Sequence, residues 1–439
     1  MTVVPPALSA HSAAEAPAAP ATLAQKLVAR AAGRTQVRPG EIVTCRVDLA
    51  MFHDSSGPRR LKPMLEELGA SIWDKGKVVL VIDHYVPEAD DESRRIVRLA
   101  RDWATEQRLP HVYDGLGICH VVLPQAGHVR PGMFAVGGDS HSPTGGAFGA
   151  YMFGIGATEM LGVVVTGEIW LRVPQTIFMR WYGRLADGVS AKDMMLHMLG
   201  RFGMNGGQYQ AVEYCGEAVA ALPMGERMTL ANMSAELGAQ TGLVAPDAVT
   251  RAWLAERGVR VDAAALEPWH SDEGADGVRH AFDASALVPQ VALPHSPANV
   301  ASVTELPPTR IDVAYIGACT GAKIDDLRAA ARVLAGYRIA PHVQLLVAPA
   351  SRQDQQQAER EGILRRLVEA GATVLPTACG ACAGYGGAIG EGRTVISSTA
   401  RNFRGRMGAA TAQVLLGSPF TVAASALRGV VSDAREIIG

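Results

Sequence analysis

IDVAYIGACTGAKIDDLRAAARVLAGYRIAPHVQLLVAPASRQDQQQAEREGILRRLVEAG, residues 311–371, switches its apolar period again and again. The runs 311–318 and 343–349 are short, apolar and bounded by Gly or Pro, so each reads as a buried strand. The segments 325–336 and 355–371 repeat apolar residues at three and four positions and read as helices with one packed face. Strand, helix, strand, helix in regular alternation is the pattern of a doubly wound α/β sheet. TVLPTA (373–378) adds one more short strand.

The same pattern recurs toward the N-terminus. KVVLVID (77–83) and MFAVGGD (133–139) are strand-like, SRRIVRLARDWATEQ (93–107) is an amphipathic crossover helix, and together they predict a β-α-β unit. Residues 23–32 read as a helix. The Gly-rich GGAFGAYMFGIGATEM (145–160) reads as a closely packed helix or as a loop that brings backbone amides to a ligand. Around 170–292 a second helical set is expected, with HSDEGADGVRH (270–280) as a surface connection. The expected division is a disordered Ala/Pro-rich tail at 1–21, then three α/β subdomains at 22–175, 176–300 and 301–439.

A chain of 439 residues has room for two to four domains of roughly 150 residues. Lys and Arg number 41 against 43 Asp and Glu, which leaves no basic surplus for a row of phosphates, so nucleic-acid binding is not expected. Gly fills 47 positions, which suits tight turns and close backbone approaches better than long bundles. No run of about 18 apolar residues is available for a membrane span, and the first residues lack the basic start and apolar core of a secretory signal. Cys45, Cys119, Cys215, Cys319, Cys379 and Cys382 are too sparse for a disulfide framework and indicate a reducing, cytoplasmic setting.

Three of these cysteines share a setting. Cys319 ends the first strand of the opening segment, and Cys379 and Cys382 form a CxxC directly after 373–378. Open α/β sheets bind ligands at the carboxyl ends of their strands, where thiols distant in sequence converge. Three thiolates suit a soft metal, and the small residues in GACTG (317–321) and ACGACAGYGG (378–387) leave room for an inorganic cluster and for amide donors to its sulfides. Other readings stay open on these residues alone. They are small buried core cysteines, a zinc site for which no fourth ligand stands near, or a redox pair that has no use for Cys319.

DH at Asp83 and His84, GICH ending at His120, and GGDSH with Asp139, Ser140 and His141 set three histidines just beyond apolar segments. Imidazoles beside carboxylates move protons near neutral pH, although each ring taken singly also reads as a satisfied structural histidine. Glu213 in AVEYCG is a candidate to orient one of them. ARNFRGRMG (400–408) carries Arg401, Arg404 and Arg406 after the strand-like VISST (395–399). Guanidinium forks match carboxylates, the alternative being a solvated basic loop. Thiols, acid–base histidines and a carboxylate clamp point together to a lyase acting on a di- or tricarboxylate.

HDSSGP (53–58), DHYVP (83–87), GLGICH (115–120), GGDSHSPTGGAFGA (137–150), VEYCG (212–216), RMTLANMSAELGA (227–239), GACTG, ACGAC and ARNFRGR occur in that order. This series resembles the aconitase and 3-isopropylmalate dehydratase superfamily, in particular its separate large subunits, over nearly the whole chain after about Thr22. The resemblance implies α/β/α three-layer, doubly wound subdomains around a central cluster cleft, without the family's swivel domain. It implies a 4Fe-4S cluster held by Cys319, Cys379 and Cys382, with its fourth iron open to act as a Lewis acid on the substrate. By motif, His84 beside Asp83 protonates the departing hydroxyl, His120 pairs with Glu213, and His141 pairs with Asp139. Ser140, His53, Arg401 and Arg406 are implied to bind substrate.

The family's swivel domain, which supplies a serine base and a further arginine, has no counterpart before Gly439, so a separate small subunit is the expected partner and the chain alone is expected to be inactive. Two positions depart from the family pattern: Gly321, where Asn commonly follows the CT pair, and Ala400, where a polar residue commonly precedes Arg401. They leave the acid open among 3-isopropylmalate, homoaconitate, citraconate and 2,3-dimethylmalate types. An iron-responsive sensor and a scaffold subunit that has lost its cluster are the competing classes. A net charge of −2 speaks against the first and the three retained cysteines against the second.

Overall fold

The computed structural model describes residues 19–384 and 389–439, so most of the expected tail, residues 1–18, lies outside the described residues. Three larger sheets organise the described residues, beside a two-stranded antiparallel pair of Ile42–Arg46 with Glu168–Arg172. The first is wholly parallel, in the order His111–Asp114, Val78–Ile82, Leu49–His53, Phe134–Gly137, Tyr151–Gly154. The second, also parallel, runs Thr241–Val244, Ala211–Cys215, Thr176–Tyr182, Val278–Asp283. The third has the order Val300–Ser302, Gln290–Ala292, Gln413–Leu416, Thr394–Ser397, Val313–Ile316, Gln344–Val347, Ala372–Val374. Only Gln290–Ala292 runs against its neighbours there.

Strands buried on both faces need continuous apolar runs rather than alternation. Val78–Ile82 and Val313–Ile316 are buried at every position, and each carries such a run. Helix Asp91–Gln107 starts at a reciprocal cap between Asp90 and Ser93 and buries Ile96, Val97, Ala100, Trp103 and Ala104 along one face. Helix Leu23–Ala31 starts in the same way, with Thr22 and Gln25 capping each other.

Four expectations change. The crossover helix leads to His111–Asp114, and Phe134–Gly137 lies on the far side of Leu49–His53, so 77–83 and 133–139 are not neighbours. The only partly buried HVYD carried no apolar run to announce it. The helix expected over 355–371 is two helices, Arg352–Arg360 and Ile363–Ala370, parted by Gly362 in the left-handed region. The stretch 170–292 holds the whole second sheet as well as helices, and 270–280 runs into its edge strand Val278–Asp283. A division at 300 falls inside the third sheet, because Gln290–Ala292 and Val300–Ser302 extend its edge. The Gly-rich run resolves into a 3-10 turn, strand Tyr151–Gly154 and helix Ala157–Thr166. Gly146 within it passes so close to Gly242 that a Cβ would stand 1.8 Å from the Gly242 carbonyl oxygen.

The first and third sheets meet at their strand ends. Ile118 N donates to the Ala350 carbonyl at 2.9 Å, Arg352 N to Leu116 at 2.8 Å, and Cys379 N to Asp83 at 3.1 Å. Among the described residues no helix is long and apolar enough to cross a membrane.

Candidate active site

The loops that leave these strand ends line one cavity of about 370 Å³. Its wall includes Cys319, Cys379 and Cys382, then His53, His84, His120, Asp139, Ser140 and His141, then Arg401 and Arg406. Asp83 lies fully buried behind His84, and Glu213 is elsewhere.

Asp54 organises the turn that presents His84. Its buried carboxylate accepts the backbone N–H groups of His84 at 3.1 Å and Tyr85 at 2.9 Å. Asp83 then accepts from His84 Nδ1 at 2.7 Å through one oxygen and from Cys119 N at 2.7 Å through the other. Burial works against a charged imidazole here, but Asp83 outweighs it and pushes His84 up to about 10. His84 is thus a cation whose Nδ1 is committed to Asp83 and whose Nε2 is left to the cavity side. His53 stacks on it at 3.7 Å between ring centroids, and its Nδ1 accepts from Ser55 N and Ser56 N, which puts its own proton on Nε2.

Asp139, its carboxylate 3.9 Å from His84 Nε2, is the hub of the adjoining wall. It accepts from His120 Nε2 at 2.7 Å and from His141 N at 2.8 Å, and against the cost of burial these histidines hold its carboxyl well below the usual range. The expected pairing of His120 with Glu213 is therefore corrected: His120 pairs with Asp139. Glu213 accepts from Ser271 Oγ at 2.6 Å, beside the start of helix Leu23–Ala31, where Leu23 N also donates to Ser271 Oγ. It sits on strand Ala211–Cys215 of the second sheet and does not line the cavity. The expected pairing of His141 with Asp139 holds through the backbone, with the ring Nδ1 3.6 Å from that carboxylate, while its Nε2 meets Glu236 at 2.9 Å. Glu236 outweighs the burial of His141 and raises it to about 9. Glu236 also accepts from Arg401 Nε at 2.6 Å, and Arg401 reaches Ser140 Oγ at 3.0 Å.

Sequence reasoning missed Asp54, Glu236, Asn232 and Lys192. Asn232 and Glu236 stand four apart in RMTLANMSAELGA, a spacing that in a helix puts both on one face, and that was the available signal. Asn232 donates to Cys319 Sγ at 3.3 Å and to Thr144 Oγ1 at 2.8 Å. Lys192, fully buried, donates to the carbonyls of Ser398 (2.7 Å) and Thr399, just before Arg401, and reaches Thr320 Oγ1 at 3.4 Å, just after Cys319. One ammonium thus joins the cysteine loop to the arginine loop.

The thiols fit a soft inorganic group. All three are free, and two are nearly buried at the cavity wall. A hydrogen bond from Cys379, with help from Arg406, brings Cys382 down to about 6, so one sulfur of the pair ionises readily. Buried polar atoms around the cavity lack partners, among them Arg406 Nε, His53 Nε2 and Glu236 Oε2. Among the described residues no group that could hold a single metal ion joins these thiols to an imidazole or carboxylate, and three thiols so placed suit an iron–sulfur cluster better than zinc.

Gly321 departs from the family pattern for a steric reason. A Cβ there would stand 2.2 Å from Ser398 Cβ and Oγ, and Ser398 Oγ accepts from Gly317 N at 2.9 Å. Gly321→Asn is expected to lose about 1–3 kcal/mol by overpacking. Thermal denaturation should show a lower Tm that Ser398→Gly in the same chain partly restores.

The sequence profile of the aconitase family (aconitate hydratase) matches residues 25–310 and 303–429. The 3-isopropylmalate dehydratase large subunit 1 of Methanopyrus kandleri is 42% identical over 420 residues, covering 95% of this chain and 99% of the relative. The 3-isopropylmalate dehydratase large subunit of Desulfatibacillum aliphaticivorans is 38% identical, covering 95% and 99%. A probable methanogen homoaconitase large subunit of Methanothermobacter thermautotrophicus is 39% identical over 424 residues, covering 95% and 98%.

Proposed function

From the premise that this chain belongs to the aconitase family, we propose that it is the large, iron–sulfur subunit of a hydro-lyase that dehydrates and rehydrates a 2-hydroxy di- or tricarboxylate of the 3-isopropylmalate type. One observation carries the proposal: three thiols, two arginines and His84, which is charged by Asp83 behind it, line a single cavity.

Cys319, Cys379 and Cys382 would hold a 4Fe-4S cluster, and the chemistry it supplies when bound is Lewis acidity toward a hydroxyl and a carboxylate. His84 donates the proton from Nε2 as hydroxide leaves and takes one back on rehydration, while Asp83 keeps the ring charged and aimed. Arg401, fixed by Glu236 and Ser140, and Arg406 grip a substrate carboxylate. Asp139 ties His120 and His141 into the same wall and stays anionic beside the cationic His84. The base that removes the carbon-bound proton comes from a separate small subunit, as the large-subunit names of the relatives suggest. That subunit also excludes water from the cavity. The setting is cytoplasmic.

An anaerobic screen of 2-hydroxy di- and tricarboxylates with the assembled two-subunit protein tests this reading, and turnover of none of them refutes it. The homoaconitase relative makes the longer tricarboxylate the second acid to try. In the same assay Glu213→Gln is expected to stay within about twofold of the parent, whereas Glu236→Gln lowers kcat/KM by about tenfold or more through loss of charged hydrogen bonds to Arg401 and His141. The reverse ranking would return Glu213 to the site.

A further inference from the structure

Tyr315 lies on the interior strand Val313–Ile316, fully buried, and among the described residues its hydroxyl has no hydrogen-bond partner. It belongs to a buried apolar cluster with Leu346, Ala348, Val395 and Met407, none of whose side chains offers an oxygen acceptor. The tip of the ring rests on the backbone of Gly317, where a Cβ would stand 2.4 Å from Oη, so only glycine two residues before Cys319 leaves the phenol in this position. Burial first, then the nearby Cys382 and Cys379, push its titration well above the ordinary phenol range, so the group keeps its proton and acts as a donor. A phenylalanine would fill this apolar space without burying an unsatisfied O–H. The hydroxyl therefore calls for an acceptor that the described residues do not provide, near the thiols.

We propose that Tyr315 is a cluster-binding donor, its Oη–H hydrogen-bonded to a sulfur of the iron–sulfur group held by Cys319, Cys379 and Cys382, from the sheet side rather than from the open cavity. The inference rests on the cluster reading above. A hydrogen bond to a cluster sulfur draws off charge and stabilises the more reduced state, so its loss makes the cluster easier to oxidise.

Tyr315→Phe keeps the ring and removes only the hydroxyl. In anaerobically prepared protein, the Fe–S stretching bands of the parent should shift in D2O, and part of that shift should vanish in Tyr315→Phe. The cluster absorbance of the variant should also decay about three- to tenfold faster in air, as expected for one lost hydrogen bond to a charged acceptor. Without iron, Tyr315→Phe should melt no lower than the parent. Equal iron content with unchanged bands and lifetime overturns the assignment and points to a buried water as the acceptor. A lower melting temperature of the iron-free variant also overturns it, by revealing a protein partner. A parent chain that binds neither iron nor sulfide overturns the cluster reading itself, and the assignment of Tyr315 falls with it.

Discussion

Cys382→Ser strips the cluster: iron and acid-labile sulfide of the anaerobically prepared chain fall by about tenfold or more, and turnover falls with them. The thiol brought down to about 6 by Cys379 and Arg406 is the most readily ionised of the three, whereas a serine hydroxyl of the same shape does not ionise in this range. Cys319→Ser and Cys379→Ser should behave alike. Serine at Cys45 or Cys215 should leave iron unchanged, because neither thiol lines the cavity. Retention of the absorbance and iron in Cys382→Ser would refute the ligand assignment.

His84→Ala separates chemistry from cluster. The iron content should match that of the parent, while kcat falls by about 10² to 10⁴, the usual worth of a positioned proton donor. Asp83→Asn gives the pH signature. With Asp83 in place, His84 stays charged until the pH approaches about 10. Without it burial dominates, the folded pKa falls, and the alkaline limb of kcat moves to lower pH. The same pairing stabilises the fold fully below the unfolded imidazole's pKa of about 6.5 and fades as the pH rises through the folded value. Unchanged turnover in His84→Ala would move the donor's role to His120 or His141.

Much of this architecture was legible because parallel strands buried on both faces must be written as apolar runs, and their carboxyl ends are where chemistry collects. KVVLVID, MFAVGGD and IDVAYIGA led directly to His84, Asp139 and Cys319 in one cavity for that reason. Edge strands left no such trace, so HVYD went unread and the order of the first sheet with it. Pairings across the site were the weakest part. Glu213 lies in a motif beside a cysteine, yet its strand belongs to another sheet, while Glu236 follows a helix whose apolar residues hide it in the sequence. A carboxylate's partner is decided by how sheets meet, and no local period encodes that.

The most direct measurement compares two anaerobic preparations, this chain alone and this chain co-purified with its small subunit, by the appearance of the unsaturated acid at equal iron content. The isolated chain should carry the cluster yet turn over nothing, and the complex should dehydrate its 2-hydroxy acid. Of the described residues lining the open cavity, His84, His120 and His141 are each paired to a carboxylate and His53 Nδ1 is taken by two backbone N–H groups, so the base is expected from the second polypeptide. Full dehydratase activity from the isolated 439-residue chain, with no second polypeptide on a denaturing gel, would contradict the account.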